Sequence, residues 1–151
     1  MEAAKIRSPN VLSFQLFTGA DRFYVIGCYI APTDTTTATE VRKAWDECPQ
    51  GCIPMLLGDL NTSLRIPAGP RDDAIADMFD KVDIADLTRH FKQRRSPTTH
   101  HWTGEHWSWR QRRLGRWITS QPDYLLAPTG ARRLFRKVGL RSPWHYASDH
   151  R

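Results

Sequence analysis

Residues 53–61 have the sequence Ile53-Pro54-Met55-Leu56-Leu57-Gly58-Asp59-Leu60-Asn61. A short apolar run closed by a turn signal predicts a buried strand, and glycine lets the backbone bend where such a strand stops. Asp59 and Asn61 then lie at the carboxyl end of the strand, two residues apart, and face the same way. A carboxylate and a carboxamide fixed there can bind a metal, orient a water and hydrogen-bond a phosphate. An Asx turn after a core strand is the structural alternative.

The composition predicts one basic, soluble domain. The chain has 151 residues, of which 40% are hydrophobic and 25% charged, and these values are ordinary for one globular domain. It has neither an apolar run long enough for a transmembrane helix nor a secretory signal pattern. We therefore expect an intracellular protein without a membrane partner, with the nucleus as a candidate compartment. The net charge of +6 favours a polyanionic partner.

The three cysteines are Cys28, Cys48 and Cys52. An odd number without a secretory signal is most simply explained by free thiols in a reducing compartment. A zinc site built from Cys48, Cys52, His100 and His101 is the alternative. It is disfavoured because the spacing matches no strong zinc pattern.

The segment before the central strand predicts a hairpin and a crossover helix. Residues 1–10 are polar and are expected to form a loose tail. Residues 11–17 and 22–30 have strand patterns and are joined by a turn. Residues 37–46 predict a helix, in which Thr37 and Glu40 have capping-box spacing. Strand, helix and strand in this order predict an α/β layered fold.

Two further helices are expected after the central strand. Residues 62–71 form a loop rich in Pro and Gly, and a helix is predicted over 73–82. A second short helix is predicted over 84–91, where Leu87 and Phe91 are four residues apart.

The last third of the chain is strongly basic. Between residues 88 and 141 there are 13 Lys and Arg residues but only two acids, Glu105 and Asp123. Arg and Lys neutralise phosphates, and Trp or Arg planes stack on bases. The alternative is that the tryptophans fill the core and the arginines form a solvated face. We favour a nucleic-acid surface whose candidate residues are Trp109, Arg110, Arg112, Arg113 and Arg116.

Four short motifs occur in a recognisable order: Tyr29-Ile30-Ala31-Pro32, Gly58-Asp59-Leu60-Asn61, Pro122-Asp123-Tyr124-Leu125-Leu126 and Ser148-Asp149-His150. In this order and rough spacing they resemble the carboxyl-terminal half of the endonuclease/exonuclease/phosphatase superfamily. The nearest resemblance is to the abasic-site-endonuclease-like domains of non-LTR retrotransposons, in which a Trp-Arg stretch like Trp109-Arg110 often precedes the Asp-Tyr strand. The resemblance implies part of a two-sheet α/β sandwich over residues 11–151, with the amino-terminal strands missing.

The resemblance also implies catalytic roles. Asp59 would orient or activate the attacking water, and Asn61 would hold that water or the phosphate. His150 would contact the scissile phosphate, while Asp123 fixes the tautomer of His150 and raises its basicity. The implied reaction is phosphodiester hydrolysis.

A divalent metal is the implied cofactor. Asp149, together with Asp59, would hold it through oxygen, which suits Mg²⁺ or Mn²⁺. Tyr29 would donate a hydrogen bond to the phosphate. The implied substrate is DNA, with RNA as the alternative.

This sequence departs from the pattern of the superfamily, most importantly in a missing metal ligand. The metal-binding Glu of the family lies on strands that precede the start of this chain, and neither Glu2, Glu40 nor Glu47 replaces it. We therefore expect a truncated form with an exposed apolar sheet face, which invites a partner or a missing upstream segment.

Three functions are compatible with these features. The first is a metal-dependent endonuclease. The second is a catalytically inactive remnant, or a basic module that binds nucleic acid without cutting it. The third is a phosphatase that acts on lipid or inositol phosphates.

Overall fold

A computed structural model describes residues 4–62, 64, 69–80, 83–88, 109–114, 116–120, 123–136 and 138. The described part has two α-helices, α1 (Thr36–Asp46) and α2 (Pro70–Asp80), and a 3-10 helix over Thr129–Leu134. The strands are β1 (Lys5–Ser8), β2 (Val11–Thr18), β3 (Asp21–Tyr29), β4 (Ile53–Asp59), β5 (Ile84–Asp86), β6 (Trp109–Arg113), β7 (Arg116–Ser120) and β8 (Asp123–Pro128).

Six of the strands form one mixed sheet in the order β1-β2-β3-β4-β8-β5. β3 and β4 are parallel, and α1 is the connection between them. The other neighbouring pairs are antiparallel. β6 and β7 form a separate antiparallel pair. The predicted hairpin, crossover helix and central strand are therefore confirmed, and the fold is α/β.

The core lies between one face of the sheet and the two α-helices. Side chains alternate between the faces of a strand, so the register groups them into rows. Ile26, Leu56 and Leu126 form one such row, and each is 2% exposed or less. The side chains that fill this core include Val11, Ile26, Leu56, Tyr124 and Leu126 from strands, with Val41, Ala44, Trp45, Ile75 and Phe79 from helices.

The opposite face of the sheet is covered unevenly. Near the 3-10 helix, Ala127 and Ala131 belong to a second apolar cluster, and Phe135 packs on Phe23 at a ring separation of 5.8 Å. Farther along the sheet, Gly27 on β3 is paired with Leu12 on β2 and with Leu57 on β4. The two leucines are 40% and 39% exposed. The exposed leucines are consistent with the expected apolar face, while a partner or upstream segment that covers it stays a prediction.

The predicted loose tail is wrong for Lys5–Ser8, which form β1 against β2. Arg7 explains the difference, because its side chain is buried between elements that are distant in sequence. Its guanidinium donates to Ser13 Oγ at 3.0 Å and Tyr24 Oη at 2.5 Å, and it pairs with Glu47 at 2.8 Å. The predicted domain boundary at residue 10 stays a prediction.

Two helix predictions also need correction. α1 starts at Thr36, and its first turn is capped by Asp34, which accepts the Thr36 N–H at 2.7 Å and the Thr37 N–H at 3.2 Å. Thr37 is therefore inside the helix, and Glu40 pairs with Lys43 rather than closing a capping box. The helix predicted over 84–91 is wrong for Ile84–Asp86, which pair with β8 as an edge strand. Phe91 lies outside the described residues.

The helix predicted over 73–82 is present as α2, which starts three residues earlier, at Pro70. Proline suits this first position because the N–H that it lacks would have no partner within the helix. Among the described residues, no helix has the length and apolar character needed to cross a membrane.

Candidate active site at the carboxyl end of β4

Three predicted site residues lie in one row of the sheet. Tyr29 is paired with Asp59 across β3 and β4, and Asp59 is paired with Asp123 across β4 and β8. Tyr29 and Asp59 end their strands, and Asp123 begins its own. Directly opposed residues of antiparallel strands have Cα atoms about 4.5–5.5 Å apart. The register therefore brings two carboxyl-bearing residues and a phenol to one edge of the sheet.

Asn61 is fixed by hydrogen bonds to both neighbouring strand ends. Its backbone N–H donates to Asp59 Oδ1 at 2.8 Å, which is the Asx turn considered above. Its side-chain Nδ2 donates to the carbonyl of Ile30 at 3.2 Å, and the Ile30 N–H donates to the Asp59 carbonyl at 2.9 Å. The Asx turn and a functional role are therefore compatible, because the turn itself orients the carboxamide beside Asp59.

Gly58 is needed for a reason that the sequence did not indicate. It lies within β4 rather than in a bend. A Cβ at this position would overlap the carbonyl oxygen of Cys28 and lie 2.9 Å from the Cys28 Sγ. Burial, and secondly the negative charge of Asp59, raise the pKa of Cys28 to about 12. The Cys28 thiol is therefore protonated and unreactive.

The loop that follows Asn61 is held by Tyr124. The Tyr124 hydroxyl donates to the carbonyl of Thr62 at 3.2 Å and accepts the N–H of Leu64 at 3.1 Å. Tyr124 is 7% exposed. In the sequence this tyrosine stands out only as part of the motif Pro122-Asp123-Tyr124-Leu125-Leu126. Its position directly after Asp123 was the available signal, because consecutive strand residues point to opposite faces.

The chemistry of the donors fits a hard divalent cation. Of the two predicted metal ligands, the described residues include Asp59, whose carboxylate oxygens suit Mg²⁺ or Mn²⁺ better than thiol-preferring metals. Within the described ranges there is no cluster of three or more His, Cys, Asp or Glu residues that could hold a metal. Asp149 and His150 lie outside the described residues, so the structure does not test their predicted roles.

The zinc alternative gains no support from the described residues. Cys48 Sγ lies 3.5 Å from the carbonyl of Cys52, and Cys52 Sγ lies 3.4 Å from the side-chain oxygen of Gln15. Burial, followed by the electrostatic interaction with Cys52, raises the pKa of Cys48 to about 11. His100 and His101 lie outside the described residues.

The candidate nucleic-acid residues belong to the β6–β7 hairpin. Trp109, Arg110 and Arg112 lie on β6, and Arg113 is paired with Arg116 next to the turn. Both Arg113 and Arg116 are exposed. Leu114, in the turn, has a φ of 46° and a fully exposed side chain. The tip of the hairpin is therefore a basic surface with one apolar side chain.

Comparison with known proteins defines the class of fold. No family profile and no curated protein matches the sequence. Among solved structures, the endonuclease domain of TRAS1, a telomere-specific non-LTR retrotransposon, matches with a TM-score of 0.66 and 15% identity. That match covers 93% of this chain and 60% of the TRAS1 chain.

Two further structures resemble the chain. TDP2 of D. rerio, complexed with a single-strand DNA product, has a TM-score of 0.52 and 13% identity, covering 79% of this chain and 46% of that chain. An endonuclease/exonuclease/phosphatase family protein from Leptotrichia buccalis C-1013-b has a TM-score of 0.46 and 11% identity, covering 82% and 45%.

These likenesses place the chain among α/β proteins with a mixed β-sheet. More particularly, the chain has the fold of the endonuclease/exonuclease/phosphatase superfamily. It spans 60% of the TRAS1 chain and 46% of the TDP2 chain. The resemblance inferred from the four motifs is confirmed at the level of the fold.

Proposed function

We propose that this chain hydrolyses phosphodiester bonds of DNA as a metal-dependent endonuclease of the retrotransposon type. The observation that carries the proposal is the row Tyr29, Asp59 and Asp123, with Asn61 oriented beside it by its two hydrogen bonds. A phenol, two carboxylates and a carboxamide at one sheet edge are the groups needed to position a water against a phosphate.

Each residue has a definite task in this proposal. Asp59 accepts a proton from, or orients, the attacking water, and Asn61 holds the water or a phosphate oxygen. Tyr29, which is 47% exposed, donates its phenolic hydrogen to the phosphate. Asp123 orients the imidazole of His150 and raises its basicity, as an acid–imidazole pair does.

The oxygen donors of Asp59 and Asp149 would hold Mg²⁺ or Mn²⁺. Such an ion would stabilise the negative charge that develops on the phosphoryl oxygens. The remaining tasks belong to the protein: Tyr29 and Asn61 bind and orient the phosphate group, and Asp59 and His150 hold or move protons.

Charge and neighbours support a nucleic-acid substrate. The chain carries a net charge of +6, and the tip of the β6–β7 hairpin presents Arg113 and Arg116 to solvent. One structural neighbour is an endonuclease domain, and another holds a single-strand DNA product. RNA as the substrate is an outcome that the test below distinguishes.

A plasmid-nicking assay with Mg²⁺ tests the proposal. Asp59→Asn and His150→Ala should each lower the nicking rate by about 10²–10⁴-fold, the usual contribution of acid–base groups. Asp21→Asn is the matched control, because Asp21 begins β3 at the end opposite Tyr29. Its rate should equal that of the wild type. Nicking that survives both active-site substitutions would overturn the assignment.

The basic hairpin supports a second candidate, a module that binds nucleic acid without cutting it. Such a module would bind DNA with an affinity that falls steeply with salt concentration, and it would never nick the plasmid. Hydrolysis of inositol phosphates without DNA cleavage would instead identify a phosphatase. Cleavage of RNA in preference to DNA would reassign the substrate.

A further inference from the structure

We infer that Tyr124 is a positioning residue of the candidate active site. Its hydroxyl ties the loop that follows Asn61 to strand β8, which carries Asp123. The inference rests on the proposed function, because it assigns Tyr124 the task of holding Asn61 and Asp123 in one rigid frame. In this role Tyr124 acts through the main chain of the loop rather than directly on the reacting atoms.

The strand register explains how Tyr124 reaches the loop. Asp123 and Tyr124 are consecutive on β8, so Asp123 lies on the face of Tyr29 and Asp59, and Tyr124 lies on the helix-covered face. On that face Tyr124 is paired with Gly58.

The two hydrogen bonds of Tyr124 use the hydroxyl as both donor and acceptor. The partners are main-chain groups, the Thr62 carbonyl and the Leu64 N–H. Tyr124 and Thr62 are 7% and 6% exposed. These bonds are shielded from solvent. Removing the hydroxyl would therefore leave the Thr62 carbonyl and the Leu64 N–H without their partner, and water would not readily take its place.

The loop is therefore attached on both sides of Asn61. On the amino-terminal side, Asn61 is bonded to Asp59 on β4 and to Ile30 just after β3. On the carboxyl-terminal side, Thr62 and Leu64 are bonded to β8 through Tyr124. The Thr62 hydroxyl is buried and has no hydrogen-bond partner in the described part of the chain, so this side chain does not add a further anchor there.

The expected consequence is a loss of alignment rather than of substrate affinity. A misplacement of about 1 Å in a catalytic group costs on the order of 10²-fold in rate. The residues proposed to bind nucleic acid lie on β6 and β7, which form a separate sheet from β8. Tyr124→Phe should therefore lower kcat of plasmid nicking by about 10-fold or more and leave KM close to that of the wild type.

Tyr24→Phe is the matched control. Tyr24 is equally buried, at 6% exposure, and its hydroxyl also makes two hydrogen bonds, with Ser13 and Arg7. It is five residues from Tyr29 on β3, away from the carboxylate row. Both variants lose the same hydroxyl from a buried ring on the same sheet, so a general loss of stability affects both.

The experiment compares wild type, Tyr124→Phe and Tyr24→Phe as full chains, at a temperature where thermal melts show all three folded. NMR measures exchange of the Leu64 amide hydrogen and the side-chain amide resonances of Asn61. We expect faster Leu64 exchange and shifted Asn61 resonances in Tyr124→Phe alone. Nicking kinetics should show the selective loss of kcat in the same variant.

The outcomes separate the two proposals. Unchanged Leu64 exchange and Asn61 resonances in Tyr124→Phe, or an equal fall in kcat in both variants, would overturn the positioning role. If the wild type cuts no nucleic acid, the proposed function fails. The NMR comparison then still decides whether Tyr124 positions Asn61.

Discussion

Asn61 combines an unusual backbone conformation with two oriented hydrogen bonds. Its φ of 46° lies in the left-handed region, which costs most residues roughly 1–2 kcal/mol and which Asn tolerates better. Its side chain donates to the Ile30 carbonyl, and its own N–H donates to Asp59. Backbone preference and side-chain function therefore favour the same residue type at this position.

Two substitutions separate these contributions. Asn61→Gly keeps the backbone conformation and removes the carboxamide, whereas Asn61→Ala removes the carboxamide and adds the backbone strain. We expect the alanine variant to be less stable than the glycine variant by about 1 kcal/mol, measured by urea unfolding. Both variants should lose nicking activity to a similar degree.

Equal stability of the two variants would contradict the backbone argument. Retained activity in Asn61→Gly would contradict the role of the carboxamide. The two measurements are independent, because the stability difference depends on the φ angle and the nicking activity depends on the side-chain amide.

At the scale of elements, the N-terminus of α1 is stabilised by a residue that precedes the helix. The Asp34 carboxylate accepts hydrogen bonds from the hydroxyls and N–H groups of Thr37 and Thr36. These hydrogen bonds lower the pKa of Asp34 well below its ordinary value of 3.8, and the bonds from Thr37 contribute most. The negative charge is also favourable at the positive end of the helix dipole.

This lowered pKa predicts a dependence of stability on pH. A carboxyl group with a lowered pKa in the folded state stabilises the fold above its unfolded pKa, and the contribution is lost as the pH falls through the folded value. Asp34→Ala should therefore lower Tm at about pH 7, and the difference from wild type should shrink steadily below about pH 4.

Asp46→Asn is the control for this prediction, because Asp46 ends the same helix and its carboxylate meets Arg42 at the exposed surface. Its Tm should stay close to that of the wild type at both pH values. A Tm difference between wild type and Asp34→Ala that is constant from neutral to acid pH would contradict the capping role of the charge.

The elements also show which parts of the fold could be predicted from the sequence. Local sequence patterns were sufficient for β2, β3 and β4. The pairing that forms β1 and β5 is non-local: β1 is polar in sequence and is fixed by Arg7, and β5 is an edge strand of three residues. For α1, the capping-box spacing of Thr37 was outweighed by the carboxylate of Asp34, which accepts the N–H groups of Thr36 and Thr37.

The residues of the candidate site were easier to predict from the sequence than their geometry. Tyr29, Asp59, Asn61 and Asp123 were named from motifs, and the sheet register brings the strand-end residues together. The reason for Gly58 was not predictable, because it depends on how closely β3 approaches β4. The bonds of Tyr124 were also beyond sequence analysis, since they depend on the path of the loop after Asn61.

For the whole molecule, the two faces of the sheet differ in how completely they are covered. Leu56 and Leu57 are neighbours on β4, with exposures of 0% and 39%. Leu56 packs in the core under the helices, and Leu57 lies on the opposite face. The covered face therefore contributes more to the stability of this chain than the partly exposed face.

Alanine substitutions at these two positions test the difference. Leu56→Ala should reduce the free energy of unfolding by about 2–5 kcal/mol, the usual cost of a large-to-small change in a packed core. Leu57→Ala should cost less than about 1.5 kcal/mol, because much of this side chain already contacts water. Chemical denaturation measures both. A loss at Leu57 as large as that at Leu56 would show that the second face is covered in solution.

The shared row of Tyr29, Asp59 and Asp123 has a consequence for the gene. Because strand side chains alternate with a period of two, one codon inserted between Asp123 and Tyr124 would turn the carboxylate to the helix side while Tyr124 and Leu126 kept their places. Such an allele would encode a folded protein without its carboxylate pair. Length changes in descendants of this gene should therefore accumulate between the strands, and β4 and β8 should keep their lengths.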